Sequence, residues 1–133
     1  MNRSIVNLVT ENKEQELVKG IAFVRSRRAK ENVSVILSEM NFVTESHGVQ
    51  IDYAYQDDSY TDDYDRRELD GFFEMLKSCD VQVVVVRSLN EITTDLADVE
   101  EFVRTANEMG LAVYSLELGP VAISVSRAEE YGC

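Results

Sequence analysis

The run Val81-Gln82-Val83-Val84-Val85-Val86 decides how the rest of the chain is read. Four consecutive valines cannot alternate between a wet face and a dry one, so a strand built from them is buried on both sides. Sheets covered on both faces are the parallel sheets of α/β proteins, whose crossover helices supply the cover. Upstream of this run, Leu69, Phe72, Phe73 and Leu76 recur at the spacing of one helix face. Asp65, with Glu68 three residues on, reads as a capping box at the start of that helix. Downstream, Thr94 is placed to cap a helix that turns Leu96, Val99, Phe102, Val103 and Ala106 inward and stops at Gly110. Residues 111–116 make the following strand.

Further out the pattern repeats. Residues 49–55 alternate and are rich in strand formers. Residues 29–47 carry Val33, Ile36, Leu37, Met40 and Val43 on one helical face and end at Gly48. Residues 21–25 form a short apolar strand after Gly20. The order β-α-β-α-β-α-β predicts an α/β fold: an open, mostly parallel sheet with right-handed crossovers and helices on both faces. The expected domain covers residues 20–118. Residues 1–19 form an N-terminal extension, in which Ile5, Val6, Leu8 and Val9 either pack a short helix on the sheet edge or belong to a loose arm. Residues 119–133 are a C-terminal tail.

Composition narrows the function. The chain has 133 residues and a formal net charge of -12. Duplex DNA is a dense polyanion, so a chain this acidic is expected to bind it only weakly by itself. No apolar run is long enough to span a bilayer, and residues 1–4 lack the design of a secretory signal, so no membrane association and a cytoplasmic location are expected. Cys79, Cys133 and His47 fall short of the four ligands of a structural zinc site; both thiols are expected reduced, and no metal or cofactor is expected. His47 sits at a helix end, where a cation suits the helix dipole better than a catalytic base does.

In an open parallel sheet, ligands bind beyond the C-terminal ends of the strands. Three segments meet there. The first, Arg25-Ser26-Arg27-Arg28-Ala29-Lys30, lies between a strand and a helix; guanidinium forks and helix-terminal amides suit a phosphate, and Ser26 offers a nucleophilic hydroxyl. The same residues also suit a solvated basic turn. The second holds Asp57, Asp58, Asp62, Asp63 and Asp65, then Arg66 and Arg67; it lacks the glycine and closing glutamate of a calcium loop and reads as a solvated acidic loop. The third, residues 88–95, reads alone as a helix cap.

Taken together and in order, these segments resemble the catalytic domain of the resolvase/invertase family of serine recombinases. That family ends its first strand with Tyr-x-Arg-x-Ser; here Phe23-Val24-Arg25-Ser26-Arg27 stands there. An Asp after its second strand and an Asp-Arg-x-x-Leu helix start correspond to Asp57 and to Asp65-Arg66-Arg67-Glu68-Leu69. Its third motif, Leu-Asp-Arg-Leu-x-Arg-Asp-x-x-Asp, corresponds to Leu89-Asn90-Glu91-Ile92-Thr93-Thr94-Asp95-Leu96-Ala97-Asp98. The resemblance implies metal-free DNA strand cleavage through a phosphoserine, with arginines stabilising the transferring phosphoryl group. Arg25 and Arg66 match two of those arginines, and Asp57 matches an acidic position.

The departures lie where the chemistry would be. Arg27 occupies the serine position and Ser26 falls one residue early, a slip that turns a strand side chain to the other face. Asn90 replaces an aspartate, and Glu91 and Thr94 replace two arginines. Losing one charge-stabilising donor costs on the order of a hundredfold in rate, so these changes are expected to abolish cleavage. The family's long dimer helix and DNA-binding domain do not both fit in the residues after Leu116. The expectation is therefore a catalytically inactive recombinase-like domain used in protein interaction or regulation, with a protein partner or a homodimer. One alternative is a working site-specific recombinase with Ser26 as nucleophile. The other is an unrelated doubly wound domain holding a small anion through Arg25, Arg27, Arg28 and Arg66. On the family reading, Arg25, Ser26 or Arg27, Arg66, Asn90, Glu91 and Thr94 converge on one pocket at the C-terminal edge of the sheet, with Glu91 opposing an anion there.

Overall fold

The structure, a computed structural model, describes residues 17–121. In chain order the elements are β1 (Val18–Arg25), α1 (Lys30–Glu45), β2 (Val49–Asp57), α2 (Arg67–Leu76), β3 (Val83–Val86), a single 3-10 turn (Leu89–Glu91), α3 (Leu96–Glu108), β4 (Ala112–Ser115) and β5 (Gly119–Val121). They form one five-stranded sheet of order β2-β1-β3-β4-β5. The first four strands are parallel, and β5 joins β4 antiparallel. The valine strand is central, as its composition demands, and all four of its residues are buried.

The two faces of the sheet carry separate apolar layers. Ile21, Phe23, Val84 and Val86 point to α2 and α3, where they meet Leu69, Phe72, Phe102 and Val103. Ala22, Val24, Val83 and Val85 point to α1 and meet Val33 and Met40. Helices therefore lie on both faces, as expected. Phe72 is the hub of the first layer: its ring stands edge-on to Phe23, with centroids 4.9 Å apart, and lies parallel to that of Phe102 at 6.1 Å. Tyr55 reaches over the same layer, and its hydroxyl comes so near Gly71 that a Cβ there would sit 2.6 Å away. A larger residue at position 71 would have to displace the Tyr55 hydroxyl.

The structure corrects several local expectations. β1 begins at Val18, three residues before the apolar run, and the tail opens with a strand at Gly119. The capping box does not form: Arg66, not Asp65, is the N-cap residue of α2, and no side chain caps it. Asp95, not Thr94, caps α3, its carboxylate accepting from the Asp98 amide. Leu96 is exposed rather than inward. On α1, Val43 is 39% exposed and Thr44 is fully buried in its stead. Gly48 and Gly110, each just beyond a helix, adopt φ of 88° and 86°, the left-handed conformation expected at a helix stop. Cys79 is a half-buried free thiol. Ile5, Val6, Leu8, Val9 and Cys133 lie outside the described residues. Among the described residues no helix is long and apolar enough to cross a membrane.

Candidate functional site

The C-terminal ends of β1, β2 and β3 carry a cluster of paired charges. The first pair is wholly buried. Arg66 Nε donates to Asp57 Oδ2 at 2.9 Å, and Arg66 Nη2 lies 2.7 Å from the same oxygen. The side chains are 1% and 0% exposed, so neither charge can exist there without the other. Asp57 Oδ1 accepts from the Ser59 amide at 3.0 Å, and Arg66 Nη1 donates to the Asp63 carbonyl at 3.0 Å. Burial pushes the Asp57 carboxyl up, but the hydrogen bonds from Ser59 and Arg66 outweigh it and hold it below the usual carboxylate range.

The second pair gathers around Asp62. Its Oδ1 accepts from Arg25 Nη1 at 2.7 Å. Its Oδ2 accepts from the Thr94 amide at 3.0 Å, from Thr94 Oγ1 at 2.7 Å and from Thr93 Oγ1 at 3.2 Å. Arg25 also donates to the Thr61 carbonyl. The Thr94 hydrogen bonds, then that from Arg25, hold the Asp62 carboxyl far below its ordinary value. The third pair is Arg87 with Glu91. Glu91 Oε1 accepts from the Arg25 amide at 3.3 Å, and the Glu91 carbonyl accepts from Arg66 Nη2 at 3.5 Å. Burial pushes the Glu91 carboxyl above its usual range, and Arg87 and Arg25 offset only part of that.

Arg25, Arg66, Glu91 and Thr94 are thus drawn together at one edge of the sheet. Their roles differ from the expected ones. Glu91, expected to face Arg25 and Arg66 across the pocket, is paired with Arg87. Thr94 does not cap α3, because its hydroxyl and amide are engaged by Asp62. In the segment read as a solvated acidic loop, Asp58, Asp63 and Asp65 are exposed as expected, while Asp57 is buried and Asp62 bridges to Thr93 and Thr94 just ahead of α3. Ser26 is half-buried; its Oγ accepts from the Arg28 amide at 3.1 Å, a turn contact. Arg27 lies over the exposed Tyr60 ring, 4.1 Å from the centroid. Asn90 is exposed, with its amide bonded to Ser88 Oγ at 3.2 Å. Arg27, Arg28 and Asn90 therefore stand outside the paired cluster.

Sequence reasoning missed Asp62 and Arg87. Nothing in spacing distinguishes Asp62 from its four acidic neighbours. Arg87 had a signal: it ends a buried strand four residues before Glu91, on a turn that folds back toward it.

No protein-family model matches the sequence, and no curated protein matches it. Solved structures do share the fold. The N-terminal catalytic domain of TP901-1 integrase superposes with a TM-score of 0.61 at 13% identity, covering 84% of this chain and 87% of that one. The C-terminal catalytic domain of ISC1926 TnpA, an IS607-like serine recombinase, gives 0.60 at 14% identity over 85% and 76% of the two chains. A resolvase family site-specific recombinase from Streptococcus pneumoniae gives 0.59 at 16% identity over 84% and 82%. The fold is that of serine recombinase catalytic domains, which is the fold the three sequence motifs imply.

Proposed function

We propose that this chain is a serine-recombinase-like domain that has lost strand cleavage and serves in protein interaction or regulation. One observation carries the reading: Arg25, Arg66 and Arg87 are each neutralised by a carboxylate of the chain itself, Asp62, Asp57 and Glu91. A phosphoryl transition state spreads negative charge over its oxygens and needs free guanidinium groups aimed at it. Here Arg66 is sealed in the interior, and Arg25 is turned into the chain's own loop. The net charge of -12 adds long-range repulsion against DNA. The recombinase fold of the neighbours supports an origin in DNA recombination, and the substituted positions Arg27, Asn90, Glu91 and Thr94 support its loss.

The test uses pooled duplexes of random sequence and supercoiled plasmid, with covalent protein–DNA adducts read by denaturing gel and intact mass. The expected result is no adduct, and duplex binding at physiological salt too weak to shift mobility. An adduct formed by the wild type and absent from Ser26→Ala would establish Ser26 as a nucleophile and overturn the proposal.

A further inference from the structure

Away from the paired cluster, α1 and the edge strand β2 stand apart and leave a groove. Two adjoining cavities make it up. One of about 400 Å³ is lined by Val24, Lys30, Val33, Ser34, Leu37 and Gln56, among others. The next, about 280 Å³, runs on past Asn41 and Ile51 and shares Leu37 and Ala54 with the first. The floor is low because residue 54 is alanine. Farther down, the Ile51 amide donates to Asn41 Oδ1 at 2.8 Å and ties helix to strand. The groove is therefore widest toward Lys30.

Three features of this groove point to the same occupant. First, among the described residues β2 is the outer strand, paired only with β1. The Ser26 amide donates to the Asp57 carbonyl, so Asp57 faces β1. Carbonyls and amides alternate along a strand, so those of Gln56 and Ala54 face outward, where another strand can pair with them. Second, the walls offer apolar side chains, half-buried Leu37 and the edge of the otherwise buried Val33, that alternate residues of an added strand would meet. Third, the wide end is basic in a strongly acidic chain. Lys30 lines it, and Gln56 Nε2 donates to the carbonyls of Ser26 and Arg28 and so fixes the Arg27-Arg28 turn beside it. Arg27, Arg28 and Lys30 are exposed, and among the described residues none of them makes an ion pair.

We infer that the α1–β2 groove docks an extended segment of a partner protein, which adds as a strand to β2, places apolar side chains against Val33 and Leu37, and brings acidic residues to Arg28 and Lys30. The inference deepens the proposed interaction role by naming its surface. Main-chain pairing along Ala54 and Gln56 supplies affinity, and the apolar walls and basic end supply selectivity.

A random peptide library displayed on phage, panned on the full chain, tests it. Enriched peptides are expected to alternate apolar residues and to carry Asp or Glu at one end. Ala54→Pro removes an outward amide that β1 does not use, and proline is tolerated at such edge positions. It should weaken the enriched peptides by about fivefold to tenfold, the scale of one hydrogen bond. Lys30→Glu should weaken acidic peptides and enrich basic ones on repanning. Thermal melting of both variants checks that the fold is intact; if Ala54→Pro melts early, Ala54→Trp, which fills the floor, replaces it. No enrichment, or binding indifferent to all these variants, overturns the inference. So does self-association by sedimentation that Ala54→Pro abolishes, which would assign the edge to a second copy. A DNA adduct through Ser26 would sink the proposed function and leave the groove result standing, so the two failures are separable.

Discussion

The cluster at the ends of β1, β2 and β3 and the groove between α1 and β2 lie on one small domain and handle charge in opposite ways. In the cluster every guanidinium of Arg25, Arg66 and Arg87 meets a carboxylate of the same chain. In the groove, among the described residues, Lys30 and the neighbouring Arg28 meet none and a strand edge is left open beside them. The contrast teaches that basic residues at strand ends can already be paired within the chain. What matters is whether the chain has already supplied the anion.

Apolar support is the sharpest way to break the comparison. Phe72 sits under the closed side at 0% exposure, packed on Phe23 and Phe102, so Phe72→Ala should cost about 3–5 kcal/mol in denaturant unfolding. Leu37, half-buried in the groove wall, should cost only about 1 kcal/mol on truncation to alanine. Equal losses would mean the groove is as tightly packed as the core. The charges should separate next. Arg66→Ala strands Asp57 in the interior and should cost about 3–5 kcal/mol, whereas replacing both partners by apolar residues of similar volume should recover most of it. Lys30→Ala, on the exposed end of the groove, should stay within roughly 0.5 kcal/mol of wild type.

A smaller effect comes from acid. Asp57 and Asp62 are both held below the ordinary carboxylate range, so each binds a proton less readily in the folded chain than in the unfolded one. The stability they contribute is present above about pH 4 and lost as the pH falls through their folded values. Unfolding titrations between neutral pH and about pH 2 should show Asp62→Asn with a shallower acid loss than wild type. An unchanged slope would mean the Asp62 bridge to Thr94 and Arg25 is not populated in solution.

Much of the fold was legible because it rests on burial. The valines of β3 and the spacing of Phe72, Phe102 and Val103 report which surfaces leave water, and the structure places them accordingly. The local caps were less legible because they are contested. Asp65 and Thr94 have the chemistry to cap helices, but Arg66 is drawn to Asp57, and Thr94 is taken by Asp62 thirty-two residues away. Helix ends misled for a similar reason: on α1 the buried position near the last turn is Thr44, whose hydroxyl donates to the Asn41 carbonyl at 3.3 Å and so can leave water, while Val43 stays out. The meeting of Arg25, Arg66, Glu91 and Thr94 could be read from three ordered motifs. Their neutralisation could not, since it depends on how the loop through Asp62 folds back over the sheet edge.

The central claim is that the arginine cluster at the sheet edge is occupied by the chain's own carboxylates. Nuclear magnetic resonance of the arginine side-chain Nε–H groups during a phosphate titration tests it most directly, in the wild type and in Asp62→Ala. The account predicts that Arg25 and Arg66 stay unmoved in the wild type, and that in Asp62→Ala the Arg25 signal shifts with at least about tenfold tighter phosphate binding, the gain from removing a like charge and freeing a guanidinium fork. Saturable phosphate binding at Arg25 in the wild type, unchanged by Asp62→Ala, would contradict it.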